Sequence, residues 1–211
     1  MKITIMGGTG YLGQGILAGF VNSKYNHELI SLSRSGMGNK QNLVMPVSYL
    51  AVDFSHDGNW QSVVTTSDIV IDCVGILIPS KRKQTSYEKN SIEPAKKVID
   101  QLQVKTDKTK FIFIAANNAP RLLDDYLKAK QEVIDYGQKK LDNRFIAVYP
   151  GMVYDLQRLG NFIPGILLNI AINGFKIPFL KKYRPAKRSV FSQEIVKIAA
   201  GQSSPLTKII R

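Results

Sequence analysis

The opening of the chain constrains it most. KITIMGGTGYLGQGI, Lys2 to Ile16, is a short apolar-rich run followed at once by Gly7, Gly8, Gly10 and Gly13. A strand that turns this sharply into a helix needs glycine for three reasons. The turn is tight, the backbone must approach a ligand without a side chain between, and helix and strand must pack closely. Gly8, Gly10 and Gly13 satisfy G-x-G-x-x-G, and Gly7, Gly10 and Gly13 satisfy G-x-x-G-x-x-G. A helix starting near Tyr11 would offer amide N–H groups and the positive end of its dipole to an anion. Gly7, Thr9, Gly10, Tyr11, Leu12 and Gly13 are therefore candidate contacts to a dinucleotide pyrophosphate.

The rest of the chain repeats the pattern. Strands are predicted at Lys2–Met6, Glu28–Ser33, Val47–Val52, Asp68–Val74, Lys110–Ala115 and Phe145–Tyr149. Helices are predicted at Tyr11–Ser23, Tyr87–Gln103 and Leu122–Lys140. The Ile- and Val-rich run at Asp68–Val74 suits a strand buried on both faces. Strand–helix alternation implies an α/β fold, a Rossmann-type doubly wound parallel sheet. Residues 1–155 read as the nucleotide-binding core. Residues 156–211 read as a short C-terminal cap on the substrate side of the same domain, with helical stretches near Phe162–Asn173 and Gln193–Ala200.

Composition narrows the chemistry. Of 211 residues, one is cysteine (Cys73) and two are histidine, His27 and His56. A disulfide within the chain is impossible, and neither a thiolate metal cluster nor a Ser-His-Asp triad is expected; no metal site is expected either. The cysteine usage suits a reducing compartment, and Lys2–Met6 is too short an apolar run for a signal peptide, so a cytoplasmic location is expected. A net charge of +13 is concentrated in clusters such as Lys81-Arg82-Lys83 and Lys181-Lys182-Tyr183-Arg184. No nucleic-acid motif accompanies it, so a solvated basic surface that draws an anionic cofactor is favoured over nucleic-acid binding. A weaker reading docks the basic tail, Phe175 to Arg188, on an anionic membrane.

The end of the second strand bears on which cofactor. An NAD-specific site tends to place Asp or Glu about 20 residues past the glycine loop, on the ribose 2′-hydroxyl. This chain has Ser33-Arg34-Ser35 there and no acid. A guanidinium suits a 2′-phosphate through bidentate, charge-assisted hydrogen bonds. Ser33 and Arg34 thus favour NADP(H) over NAD(H).

Several segments in order carry a family resemblance: GGTGYLG, Arg34, AVDFS at Ala51–Ser55, DCVG at Asp72–Gly75, YLKAKQEVI at Tyr126–Ile134 and YPGMVYD at Tyr149–Asp155. Together they resemble the atypical and extended short-chain dehydrogenase/reductases. The likeness is above all to the NAD(P)-binding epimerase/dehydratase-like members, a group that includes an accessory subunit of respiratory complex I. RPAKRSVFSQEIVKIAAG, Arg184–Gly201, resembles a strand and helix of such proteins. The resemblance implies that Asp53 and Phe54 lie beside the adenine, and that Cys73, Val74 and Gly75 line the adenosine ribose. It also implies that Ala115, Pro150, Gly151 and Val153 lie along the cofactor toward the nicotinamide.

Tyr126 and Lys130 match the family's Tyr-x-x-x-Lys pair. Residues four apart share a helix face. An ammonium beside a phenol is expected to lower the phenol's pKa, suiting Tyr126 to exchange a proton with a substrate oxygen. Lys130 is also a candidate cofactor contact. The family's Ser or Thr at the end of the fifth strand is absent: KFIFIAANNAP places Ala115 and Ala116 there. Asn117 or Asn118 can substitute as an amide donor. Losing the hydroxyl would cost about 3 kcal/mol of transition-state stabilisation. Two readings result: an NADP(H)-preferring oxidoreductase on a small carbonyl, alcohol or quinone-like substrate, or a cofactor-holding sensor or scaffold without turnover. Asp124-Asp125 are expected in a first helical turn, Cys73 as a small apolar filler, and Trp60 in packing.

Overall fold

Six short runs, most of them rich in apolar side chains, form one parallel sheet in a computed structural model that describes residues 1–38, 43–120, 123–155 and 185–210. They are β1 (Lys2–Met6), β2 (Glu28–Ser33), β3 (Ser48–Ala51), β4 (Ile69–Asp72), β5 (Lys110–Ile114) and β6 (Phe145–Val148). The order is β3-β2-β1-β4-β5-β6. β1 pairs with β2 through Ile3↔Leu29 and with β4 through Ile3↔Ile69, so it is the central strand. The strand order reverses between β1 and β4, which is where ligands bind in open α/β sheets.

Helices cover both faces, which explains why the central strands carry so few charges. On one face Met6, Val70, Phe111 and Phe113 pack against α2 (Asn59–Thr65), α3 (Glu93–Lys105) and α4 (Asp124–Leu141). On the other, Ile3, Ile5, Ile71, Ile112 and Ile114 pack against α1 (Tyr11–Val21) and α5 (Arg188–Ala199). α4 begins with Asp124 and Asp125 and ends with Lys139 and Lys140, matching its dipole at both ends. Trp60 is 3% exposed and sits in α2, a helix too short to announce itself by periodicity.

Two elements refine the expectations. The helix expected over Tyr87–Gln103 is present and runs on to Lys105, with a π-helical segment at its start. Glu88–Ile92 forms a π-helical turn and the α-helix starts at Glu93. Pro94, without an N–H, cannot donate to the Asn90 carbonyl as a regular α-helix would require, and the π-helical segment lies just ahead of it. The described part of the tail packs in two places: Leu206 accepts from the Tyr149 N–H and Ile210 bonds Asn117, just past the ends of β6 and β5, while its helix packs on one face of the sheet. α5 lies along α1, with Phe191, Ile195 and Ile198 in the same core as Ile3 and Ile5. Just before it, β7 (Val153–Tyr154) and β8 (Ala186–Lys187) pair in parallel. The helix expected near Phe162–Asn173 and the cluster Lys181–Arg184 fall outside the described residues.

Candidate functional site

The site starts at the C-terminal end of β1. Gly7 takes φ +73° and donates its N–H to the Leu32 carbonyl at 2.7 Å. The Gly10 N–H closes the turn on the Gly7 carbonyl at 2.9 Å, and α1 starts one residue later. A Cβ on Gly13 would lie 2.4 Å from the Gly7 carbonyl oxygen, so a side chain there would push the helix off the turn. A Cβ on Gly8 would lie 2.4 Å from Ser31 Oγ on β2. The two spacings therefore do different work: Gly7, Gly10 and Gly13 form the turn facing the cleft, while Gly8 packs backward on the sheet. α1 has no side-chain cap and no acidic residue in its first turn, so an anion would meet no competing carboxylate there.

Four further segments enclose a cleft of 510 Å³ with this turn. β4 is followed by Cys73, Val74 and Gly75, β5 by Ala115, Ala116 and Asn118, and β6 by Pro150, Gly151 and Val153. α4 contributes Tyr126 and Lys130. Tyr11, Leu12, Ile76, Leu77 and Met152 complete its edges. A larger, mostly apolar cavity of 720 Å³ lies between α1 and α5. Asp155 and Arg188 on its wall are committed to each other at 2.7 Å, and it holds neither the glycine turn nor a proton-transfer pair.

Other expected residues do not line the cleft. Thr9 sits in the turn without facing it. Ser33 is buried at the end of β2, its Oγ donating to the Gly36 carbonyl at 3.3 Å. Arg34, next to it, is exposed. The Asp53 carboxylate accepts from Ser55 N–H at 2.8 Å and Ser55 Oγ at 2.6 Å, which holds it below the usual carboxylate range. Phe54 is buried with its ring 5.4 Å from Trp60, so its side chain belongs to the core.

The electrostatics centre on Lys130, 8% exposed. Its Nζ donates to the Ile114 carbonyl at 2.7 Å and lies 4.5 Å above the Phe113 ring and 5.8 Å from the centre of the Tyr126 ring. Burial pulls its pKa down, and the negative charge of Asp72 pulls it back up. Asp72 pairs across the sheet with Phe113, so its side chain points to the same face as Lys130. One carboxylate oxygen accepts from the Val74 N–H at 2.7 Å, and the other is buried without a hydrogen-bond partner. Burial pushes Asp72 up to about 6 despite Lys130 and the Val74 N–H. Asp72 is a functional group missed in the sequence, although it is the one charge in the apolar run Ile69–Val74.

Two expectations change. Tyr126 is not made more acidic by its neighbour: burial, with a contribution from Tyr87, pushes its phenol up to about 12. The Lys130 proton donors are directed at a backbone carbonyl, and the ammonium lies over the ring. Asn117 is not available as a substitute donor. Its Nδ2 donates to the Ile210 carbonyl at 3.0 Å, and its Oδ1 accepts from the Ile210 N–H at 2.7 Å. Asn118 lines the cleft and is the amide left near Ala115 and Ala116. Burial pushes the Cys73 thiol far up, consistent with an inert filler.

No family model matches the sequence, and no curated protein sequence matches it. Solved structures do resemble it. UDP-glucuronic acid 4-epimerase from Bacillus cereus, in complex with NAD, is 16% identical over 73% of this chain, with a TM-score of 0.56; this chain spans 58% of its length. The oxidoreductase ylbE from Lactococcus lactis is 16% identical over 95% of this chain and 85% of its own, with a TM-score of 0.67. A short chain dehydrogenase family protein from Francisella tularensis is 16% identical over 98% of this chain and 92% of its own, with a TM-score of 0.58. Likeness at such low identity speaks for architecture, and it agrees with the strand order and the glycine turn: this chain has the Rossmann fold of the sugar-nucleotide epimerases and short-chain dehydrogenase/reductases.

Proposed function

We propose that this protein is a nicotinamide-dependent oxidoreductase of the short-chain dehydrogenase/reductase type. Its substrate is a small carbonyl, alcohol or quinone-like compound, and it prefers NADP(H) to NAD(H). The observation that carries the reading is convergence. The glycine turn, the Cys73–Gly75 segment and the Tyr126–Lys130 pair all line one cleft at the point where the strand order reverses. The residues suit a dinucleotide: a side chain at Gly13 would close the turn, and the first turn of α1 is uncapped. When bound, such a cofactor supplies or accepts a hydride.

The chain's own groups supply the rest. The glycine turn and the α1 N-terminus hold a pyrophosphate, and Arg34, with no carboxylate beside it, holds a 2′-phosphate. Lys130 places a positive charge under the reacting end of the cleft. With its pKa near 12, Tyr126 keeps its proton at neutral pH and is suited to give it to a substrate oxygen. This favours reduction of a carbonyl over oxidation of an alcohol. Purified protein should consume NADPH with at least one member of a carbonyl and quinone panel. Tyr126→Phe should then lower kcat about 100-fold or more while leaving NADPH affinity within a few-fold. Arg34→Ala should weaken NADPH about tenfold and leave NADH unchanged; equal losses would remove the NADP(H) preference.

The alternative is a cofactor-holding sensor or scaffold. It is favoured by the two alanines at the end of β5 and by Asn117 being tied to Ile210. A flat substrate panel alongside tight NADPH binding would select it.

A further inference from the structure

The lip of the cleft carries side chains that neither hydride transfer nor cofactor binding needs. After β4 the chain runs through Ile76-Leu77-Ile78-Pro79 to Lys81-Arg82-Lys83. Leu77 is 54% and Ile78 64% exposed, and the three basic side chains are exposed as well. The segment is held in shape. Tyr87 Oη donates to the Leu77 carbonyl at 2.9 Å and the Ile76 N–H to Ser91 Oγ at 3.2 Å. Ser80 and Thr85 bridge through Thr85 N–H to the Ser80 carbonyl at 3.1 Å, so the chain turns over Lys81–Gln84. Among the described residues no carboxylate pairs with Lys81, Arg82 or Lys83. Across the mouth, Met152 is 36% exposed. A single exposed aliphatic is ordinary; two in sequence, fixed beside three unpaired cations, are not.

We infer that the lip from Leu77 to Lys83 is a docking edge for a bilayer surface rich in anionic lipid. The chemistry is complementary on two counts. Aliphatic side chains enter the headgroup–acyl boundary, while lysine and arginine a few residues away meet lipid phosphates. A nucleic acid would use the charges but would gain little from Leu77 and Ile78. The net charge of +13 adds attraction toward an anionic leaflet at longer range. Docking is peripheral: no helix among the described residues is long and apolar enough to cross a membrane. Leu77 also lines the cleft, so the docked edge turns the cleft mouth to the lipid. That a substrate then enters from the lipid side rests on the oxidoreductase reading; the docking does not.

The test is flotation of the full chain with phosphatidylcholine vesicles, with and without phosphatidylglycerol. Wild type should bind the anionic vesicles and lose them at high salt. Leu77→Ser with Ile78→Ser should weaken that binding about tenfold. Lys81→Glu, Arg82→Glu and Lys83→Glu together should weaken it at least as much. The same charge change at the opposite, N-terminal end of the strands, in Lys105→Glu, Lys108→Glu and Lys110→Glu, should cost far less. The inference is overturned if wild type ignores anionic vesicles, if the serine pair binds like wild type, or if the opposite-end variant loses as much. Binding to DNA that survives the serine pair, without vesicle binding, would replace it with a general polyanion surface. Failure of wild type to bind NADPH would sink the cofactor reading and leave vesicle binding intact.

Discussion

Asp72 shows how much one side chain can depend on its setting. Its native pKa, about 6, lies above the ordinary value of 3.8 because it is buried. The folded protein therefore keeps a proton that the unfolded chain has released, over the range between those two values. The stability this provides is full below about pH 4 and is lost as pH rises through about 6. Relative to Asp72→Asn, wild type should lose about 2 kcal/mol between pH 4 and pH 7. Chemical denaturation of both proteins across that range measures it, and parallel curves would refute it. Such couplings are invisible in a sequence. Tyr126 and Lys130 were legible because their spacing is local. The Lys130 bond to Ile114 and the tie from Asn117 to Ile210 were not, because the fold brings those partners together from distant segments.

At the level of elements, apolar runs were the reliable signal. β1, β2 and the helix-to-strand alternation could be read directly, since buried strands leave little room for charge. Two features escaped for physical reasons. α2 is seven residues and mostly polar, too short for a periodic stripe. The seat of α5 is set by complementary surfaces: its Ser192 packs where Gly15 and Gly19 leave α1 bare, and neither helix states this alone. α5 also reaches the site. Arg188 at its start donates to the Tyr11 carbonyl at 3.2 Å and lies 4.8 Å over the Tyr11 ring. Phe191, 1% exposed on the same helix, should cost about 3–5 kcal/mol when cut to alanine. Denaturant titration gives the loss. NADPH affinity, measured where the variant is still folded, should fall with it as Arg188 loses its support, and an unchanged affinity would show that α5 only stabilises.

For the whole molecule, the cleft lies on the seam between the two halves of the sheet, β3-β2-β1 on one side and β4-β5-β6 on the other. A ligand held by the loops after both β1 and β4 clasps the halves together. NADPH at 100 times its Kd should add about 2.7 kcal/mol and raise Tm by roughly 5–10 °C. A calorimetric titration with no shift would argue against binding in this cleft. The fold class was legible because strand order follows from a repeated unit. The chemistry of the lip was not, because exposure of Leu77 and Ile78 depends on how the loop is tied down. The strand order also sets a timetable. Because the partner of β1 on the cleft side is β4, a nascent chain that has not yet released Ile69–Asp72 from the ribosome has its glycine turn but no opposite wall. Capture of a ligand in the cleft is thereby deferred until Ile69–Asp72 has emerged, and the earliest folding steps proceed without a ligand's help.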